Sequence, residues 1–293
     1  MLLLTGCAAT PQLSDNTKAQ LPSQSYVTGV PFYSQRDYQC GPAALAMVLG
    51  ASGQSVSVDT LIPQVFLPDR EGSVQPEMMA TVRRHQRISY PLNGGFDALL
   101  TEVDAGHPVL VLQNLSLPIL PMWHYAVVIG YDQSREQLLL HSGEQSRQVT
   151  AMNRFDATWA RSDRWAMVVL PAGQLPLGIS EQAAADSISA FESATDAHAA
   201  LPAWKAVVER WPEYALGWFA LGNALHADGQ PTAAADAFSH ATQADSTLAA
   251  AWLNLGLTQQ GLGNTQAARA SLQQAAALSG KWQPQAKQAL AEL

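Results

Sequence analysis

Cys40 stands directly before Gly41-Pro42 and the apolar run Ala43-Ala44-Leu45-Ala46-Met47-Val48-Leu49, which closes on Gly50. Proline is tolerated in the first turn of a helix, where its missing N–H has no intrahelical partner, and glycine is favoured just past a helix end. The spacing predicts a helix of about two turns with Cys40 at its N-terminus. There the helix dipole and the free backbone N–H groups favour thiolate over thiol, which is expected to lower the pKa from the free value of about 8.5. A thiolate is a nucleophile, and such a nucleophile needs a base. The stretch Trp123-His124-Tyr125-Ala126-Val127-Val128-Ile129-Gly130-Tyr131 reads as a buried strand, with Pro118 and Pro121 in the loop before it. His124 stands at the entrance of that strand. A histidine fixed there can be held rigidly against a helix N-terminus, the geometry that a nucleophile–base pair requires.

The elements around these two residues follow from local signals. The turn Asp132-Gln133-Ser134-Arg135 leads into Gln137-Leu138-Leu139-Leu140-His141, a hairpin partner for the histidine strand. Val109-Leu110-Val111-Leu112 and Trp165-Ala166-Met167-Val168-Val169-Leu170 read as further strands. Helical stretches and turns lie between them, so residues 25–172 form an α+β domain of ordinary size. A polar tether over residues 1–24 precedes it. A Pro- and Gly-containing linker over 173–180 follows it.

Beyond the linker the texture changes to a repeat. Trp218 and Trp252 lie 34 residues apart, and at the same offset stand Leu221-Gly222 with Leu255-Gly256, Ala234 with Ala268, Phe238 with Leu272, and Ala241 with Ala275. The W-x2-L-G pattern followed by A-x3-F is the tetratricopeptide signature. A degenerate first unit from about Glu181 and a closing helix in Lys281-Trp282-Gln283-Pro284-Gln285-Ala286-Lys287-Gln288-Ala289-Leu290 complete an all-α solenoid over 181–293 with three units. Its tryptophans occupy repeat positions and are read as core. Arrays of this kind bind peptides or partner proteins, so a protein partner in the solenoid groove is expected.

Composition excludes some functions. The chain of 293 residues carries 16 basic and 24 acidic side chains, a net charge of -8, which repels a phosphate backbone and excludes nucleic acid as a partner. No stretch reaches the roughly 20 apolar residues that span a bilayer. The histidines are scattered and Cys40 has no second thiol beside it, so no zinc site and no cofactor are expected. His85 reads as part of a solvated helix face, and His107 as part of a turn before a strand.

Two resemblances add to this reading. Met1-Leu2-Leu3-Leu4-Thr5-Gly6-Cys7 resembles a bacterial lipobox, although a basic n-region and a full-length apolar h-region are missing. The resemblance implies a diacylglyceryl group on Cys7. Ala8 in place of a retention aspartate implies the periplasmic face of the outer membrane. Cys40 would then be a lone thiol in an oxidising compartment, which is easier to explain by use than by burial. The second resemblance rests on Val30-Pro31-Phe32-Tyr33-Ser34-Gln35-Arg36-Asp37-Tyr38-Gln39-Cys40-Gly41-Pro42-Ala43-Ala44-Leu45 and His124-Tyr125-Ala126-Val127-Val128-Ile129-Gly130-Tyr131-Asp132. These look like the Cys and His boxes of the C39 cysteine peptidases, which have a papain-like fold and whose best-known members remove double-glycine leader peptides.

That resemblance implies Cys40 as nucleophile, His124 as general base and Gln35 as an oxyanion donor acting with a backbone N–H near Cys40. It implies cleavage of a peptide bond after small residues such as Gly-Gly. Family members usually carry Asp-Pro where this chain has His141-Ser142-Gly143. The group that orients His124 is therefore left open among His141, Ser142, Asp132 and Glu144, or the site works as a dyad. The missing carboxylate keeps a second function in view, a non-catalytic scaffold that binds a peptide tail. A third, a cell-wall peptidase or amidase, fits less well, because Gln39-Cys40-Gly41-Pro42 is unlike the Asp-Cys-Ser-Gly box of those enzymes.

Overall fold

A computed structural model describes residues 11–34, 39–67, 72–93 and 95–293. The chain divides into two compact units, one of residues 1–171 with 176–179 and the other of 172–175 with 180–293. The segment read as a linker is thus shared between them.

The first unit contains α1 (Asp15–Gln20), β1 (Gln24–Tyr26), α2 (Cys40–Ala51), α3 (Val58–Val65), β2 (Phe66–Leu67), β3 (Gly72–Ser73), α4 (Gln75–Arg84), β4 (Ile88–Pro91) and α5 (Gly95–Asp104). It continues through β5 (Val109–Asn114), β6 (Trp123–Asp132), β7 (Gln137–Ser142), β8 (Gln145–Ala151), α6 (Met152–Trp159) and β9 (Ala166–Leu170). One sheet runs in the order β4-β9-β5-β6-β7-β8, and β1 adds to the far end of β6 through Gln24↔Asp132. Every pair within it is antiparallel. β2 and β3 form a separate hairpin of two strands.

α2 differs from a surface helix because Gly41 to Leu49 are buried without interruption. A helix apolar on all sides belongs in a core rather than on it. One of its sides meets Leu110, Leu112, Tyr125, Val127, Ile129, Met167 and Val169 of the sheet, and the same cluster takes in Leu61 and Val65 of α3 and Met78 and Val82 of α4. The helix spans 12 residues, longer than the two turns expected. Gly50 lies inside it and does not end it: a Cβ there would come within 2.7 Å of Pro31 Cγ, so the glycine serves a close approach of the preceding loop. On the other face of the sheet α5 and α6 bury Phe96, Phe155 and Trp159 as mutually edge-on or tilted rings.

The second unit is a run of helical hairpins: α7 (Glu181–Ala194) with α8 (Ala197–Arg210), α9 (Ala215–Ala227) with α10 (Pro231–Ala244), and α11 (Ala249–Gly261) with α12 (Thr265–Ala277), closed by α13 (Gln283–Ala291). The repeat glycines explain the period. A Cβ on Gly222 would lie 2.5 Å from the ring of Phe238, and one on Gly256 would lie 2.6 Å from Cγ of Leu272. The α9–α10 and α11–α12 hairpins close because the first helix of each offers no side chain where the second inserts a large one; at the same offset α7 carries the buried Ile188. Trp218 and Trp252 are half-buried, each donating its indole N–H to a carbonyl just before its own helix, Pro212 and Ser246 respectively.

Candidate active site

Cys40 is the first residue of α2, as its sequence context predicts. Gly41 is required directly after it, because a Cβ there would sit 2.3 Å from Oγ and 2.6 Å from Cβ of Ser73. β3 therefore crosses tightly over the head of the helix, and Tyr125 Oη ties it there by donating to the Ser73 carbonyl at 3.3 Å.

The sulfur of Cys40 is met by three backbone N–H groups, those of Tyr125, Gly41 and Cys40 itself. The second and third are the unpaired donors of a helix N-terminus. The first belongs to β6. The β6–β7 ladder extends from Asp132↔Gln137 only to Val127↔His141, so the edge of β6 beyond Val127 is open on that side. Tyr125, whose N–H faces the thiol, is the chain neighbour of His124.

His124 is held from the other direction. Its Nε2 lies 2.9 Å from Oγ of Ser142, the last residue of β7. Nδ1 makes no hydrogen bond among the described residues and is the nitrogen left for proton transfer. Of the four candidates for orienting the imidazole, Ser142 alone makes this contact. His141 is buried and engaged elsewhere: its Nδ1 accepts the Arg147 N–H at 3.2 Å, its ring packs 5.2 Å from Phe32, and it is hydrogen-bonded to the backbone of Val30. Asp132 sits at the opposite end of the ten-residue β6, bonded to Ser134 and Arg135. Glu144 is exposed in the turn after Ser142.

The electrostatics correct one expectation. Burial pushes the Cys40 thiol above its ordinary pKa, and the three N–H groups that pull it down do not compensate. The helix N-terminus acts in the expected direction and is outweighed by desolvation. Burial likewise holds His124 below the usual histidine value. Both shifts oppose a thiolate–imidazolium pair in the resting site.

Gln35 and Cys7 lie outside the described residues. The structure also places groups that sequence reasoning passed over. The Tyr125 N–H carries no side-chain signal at all. His107, read as a turn residue, pairs through Nδ1 with Oε2 of the fully buried Glu102 at 2.8 Å. His85 caps α4 and meets Gln64 through Nε2 at 3.2 Å. Among the described residues no three His, Cys, Asp or Glu side chains gather as a metal site, and no helix is long and apolar enough to cross a membrane.

Residues 27–167 match the model of the Peptidase C39 like family, and residues 186–249 and 249–281 match tetratricopeptide repeat models. The chain thus carries a C39-like peptidase domain followed by tetratricopeptide repeats. No curated protein matches it. Among solved structures, a C39-like peptidase from Bacillus anthracis is 18% identical with a TM-score of 0.44, over 51% of this chain and 98% of that one. The TPR2B domain of yeast Sti1, in its complex with pHsp70, is 18% identical with a TM-score of 0.36, over 38% of this chain and 94% of that one. The type III secretion translocator chaperone SycD of Yersinia enterocolitica is 14% identical with a TM-score of 0.36, over 39% of this chain and 89% of that one.

Proposed function

We propose that the C39-like domain is a cysteine peptidase that cuts a peptide bond in a protein partner held by the tetratricopeptide repeats, and that Cys7 is lipidated and holds the chain at the periplasmic face of the outer membrane. The observation that carries the catalytic part is the placement of the Cys40 sulfur at the Tyr125 N–H, next to a His124 whose Nε2 is occupied by Ser142. Nδ1 then receives the thiol proton as sulfur attacks the carbonyl carbon. The oxyanion that forms is met by a backbone N–H at the head of α2 and by the side chain of Gln35. Collapse breaks the C–N bond, and His124 returns the proton to the leaving amine. Water next attacks the thioester and gives its proton to His124, and the C–S bond breaks as sulfur takes that proton back. The directions of the two shifts, thiol raised and imidazole lowered by burial, fit proton transfer concerted with attack. Cleavage after small residues such as Gly-Gly is what the Cys and His boxes imply.

The test is to compare protein N-termini in cells producing the wild-type chain or Cys40→Ala, and to trap the Cys40 thiol of the purified full chain with a peptide aldehyde ending in Gly-Gly, whose adduct mimics the tetrahedral intermediate. Neo-N-termini and a hemithioacetal adduct that vanish in Cys40→Ala support the peptidase. A second reading, a peptide-binding scaffold without activity, is favoured by the hydroxyl of Ser142 where a carboxylate is usual. Peptide binding without cleavage or adduct formation would select it.

A further inference from the structure

The loop from Leu115 to Trp123 joins β5 to β6 and ends on the residue before His124. It contains no charged side chain. Leu115, Leu117, Ile119, Leu120, Met122 and Trp123 are all exposed, Ile119 at 91% and Leu120 at 74%. Apolar side chains exposed singly are ordinary, whereas a contiguous set marks a contact surface.

This loop is also firmly built. Leu115 N–H donates to the Met122 carbonyl at 2.9 Å, and Leu120 N–H to the Leu117 carbonyl at 3.0 Å. Asn114 Oδ1 accepts from the N–H groups of both Ser116 and Met122 at 3.0 Å. Arg161 Nη1 donates to the carbonyls of Asn114 and Ser116 at 3.2 and 2.8 Å. Pro118 and Pro121 fix backbone angles on either side of the tip. The result is a hydrogen-bonded hairpin tip whose apex is apolar and exposed. Peptide side chains are usually received in concavities, whereas Ile119 and Leu120 are themselves largely exposed to solvent.

The course of the chain says what the tip meets. β4 and β5 both pair antiparallel with β9, so they run the same way, towards the end of the sheet where this loop projects. α5 begins just after β4 and ends with Asp104 receiving Tyr131 Oη at the opposite end of β6. The start of α5 therefore lies at the loop end. There Asp97 Oδ1 receives both the N–H and the hydroxyl of Ser14. The residues before Ser14 thus leave the domain at the same end as the loop. Cys7 is seven residues from Ser14, at most about 25 Å of extended chain.

We propose that the Leu115–Trp123 loop inserts into the surface of a lipid bilayer, as a second attachment beside the acyl group proposed on Cys7. A single lipid signal gives reversible binding, and a second signal makes it stable. Trp123 at the base of the tip suits the headgroup level, where tryptophan is enriched. The loop itself carries no charged side chain, and the Arg161 guanidinium stays at its base, donating to the Asn114 and Ser116 carbonyls. The attachment is therefore chiefly hydrophobic and only weakly dependent on lipid charge. Because the loop runs straight into His124, it holds the site at the membrane surface, and this selects substrates that leave that surface.

The experiment is flotation of the full chain carrying Cys7→Ser, so that no acyl chain contributes, with vesicles of neutral phosphatidylcholine. Binding is expected, and to the same extent at about 0.15 M and about 1 M salt, where the Debye length falls from ~8 to ~3 Å. Ile119→Asp/Leu120→Asp is expected to lower partitioning at least about tenfold, with the Ile119→Ser/Leu120→Ser variant intermediate. Thermal unfolding and Cys40 alkylation should be unchanged in both, since the two side chains are largely exposed. Failure of the Cys7→Ser chain to float overturns the proposal. So does flotation that survives the tip substitutions, or a tip that governs self-association or KM for a soluble peptide while flotation is unaltered. None of these readings depends on catalysis, so the peptidase proposal stands or falls separately.

Discussion

Nε2 of His124 and Oγ of Ser142 stand 2.9 Å apart at the adjoining ends of β6 and β7. The β6–β7 register pairs Val127 with His141, which places Ser142 across from Ala126, on the same side of the sheet as His124. A hydroxyl orients an imidazole by hydrogen bonding but contributes no charge to stabilise an imidazolium. The His124–Ser142 pair thus has the orienting hydrogen bond of a triad without its charge.

Ser142→Asp would add the missing charge, and it is expected to raise the His124 pKa and the cleavage rate together. Ser142→Ala removes the ring's one hydrogen bond among the described residues and should lower kcat by about tenfold, far less than the ~10⁴ lost when a triad carboxylate is altered. The pH profile separates orientation from structure: its acid limb should move up in Ser142→Asp. A limb that stays in place while the rate changes would show that Ser142 does not act through His124.

Alkylation of Cys40 by iodoacetamide should follow an apparent pKa above the ordinary cysteine value of about 8.5, because burial raises the thiol. The same burial lowers His124, so His124→Ala in the free chain should change the profile little. A rate already at its plateau near neutral pH would establish a preformed ion pair and contradict the assignment.

His85, His124 and His141 are all held below the usual histidine value, chiefly by burial. A group whose folded pKa is depressed contributes stability above its unfolded pKa, near 6.5, and loses it as the pH falls. The unfolded chain takes up protons there that the native chain refuses. The urea midpoint should therefore drop between about pH 7.5 and about pH 5, and His141→Asn should flatten that drop. A midpoint constant over the interval would mean that the three rings accept protons in place.

Much of this arrangement is legible in the sequence, because it rests on local signals. Gly41-Pro42 marks the helix start, the apolar Trp123-to-Tyr131 run marks the strand, and the Trp–Leu-Gly offset marks the solenoid. What could not be read depends on contacts between distant residues. Ser142, His141, Asp132 and Glu144 are indistinguishable until the end of the β6–β7 ladder shows which of them reaches His124. The Cys40 proton affinity could not be read from its place on α2, since the dipole is a local property and burial is a global one. Gly50 looked like a helix stop, and only the approach of Pro31 explains it.

The repeat glycines allow a controlled comparison. Gly256→Ala puts a methyl group 2.6 Å from Leu272 Cγ and 3.2 Å from the Leu272 backbone nitrogen, so α11 and α12 must part. A cost of about 1 to 3 kcal/mol is expected, as for overpacking elsewhere. Gly261→Ala, on the same helix with nothing within 4 Å of its Cβ, should be neutral or slightly stabilising. Equal effects of the two in helical melting by circular dichroism would refute the close-approach account of the period.

Glu102 offers the sharpest test of the first unit's interior. Its side chain is fully buried on α5, with Oε2 2.8 Å from Nδ1 of His107 and Oε1 accepting the Gly178 N–H at 3.1 Å. One carboxylate thus ties the turn before β5 to the chain that leaves the domain after β9. Truncation removes the acceptor of two donors at once, the ring of the half-buried His107 and the exposed Gly178 amide, which water can reach in part. Glu102→Ala is expected to destabilise by about 1 to 3 kcal/mol. Glu102→Gln keeps the shape and one acceptor, so it should cost less than half as much. Hydrogen exchange at the Gly178 amide reports on the tie directly: protection should vanish in Glu102→Ala and persist in part in Glu102→Gln. A Glu102→Ala chain that unfolds within about 1 kcal/mol of wild type, with Gly178 still protected, would show that water or a neighbouring group takes over both bonds.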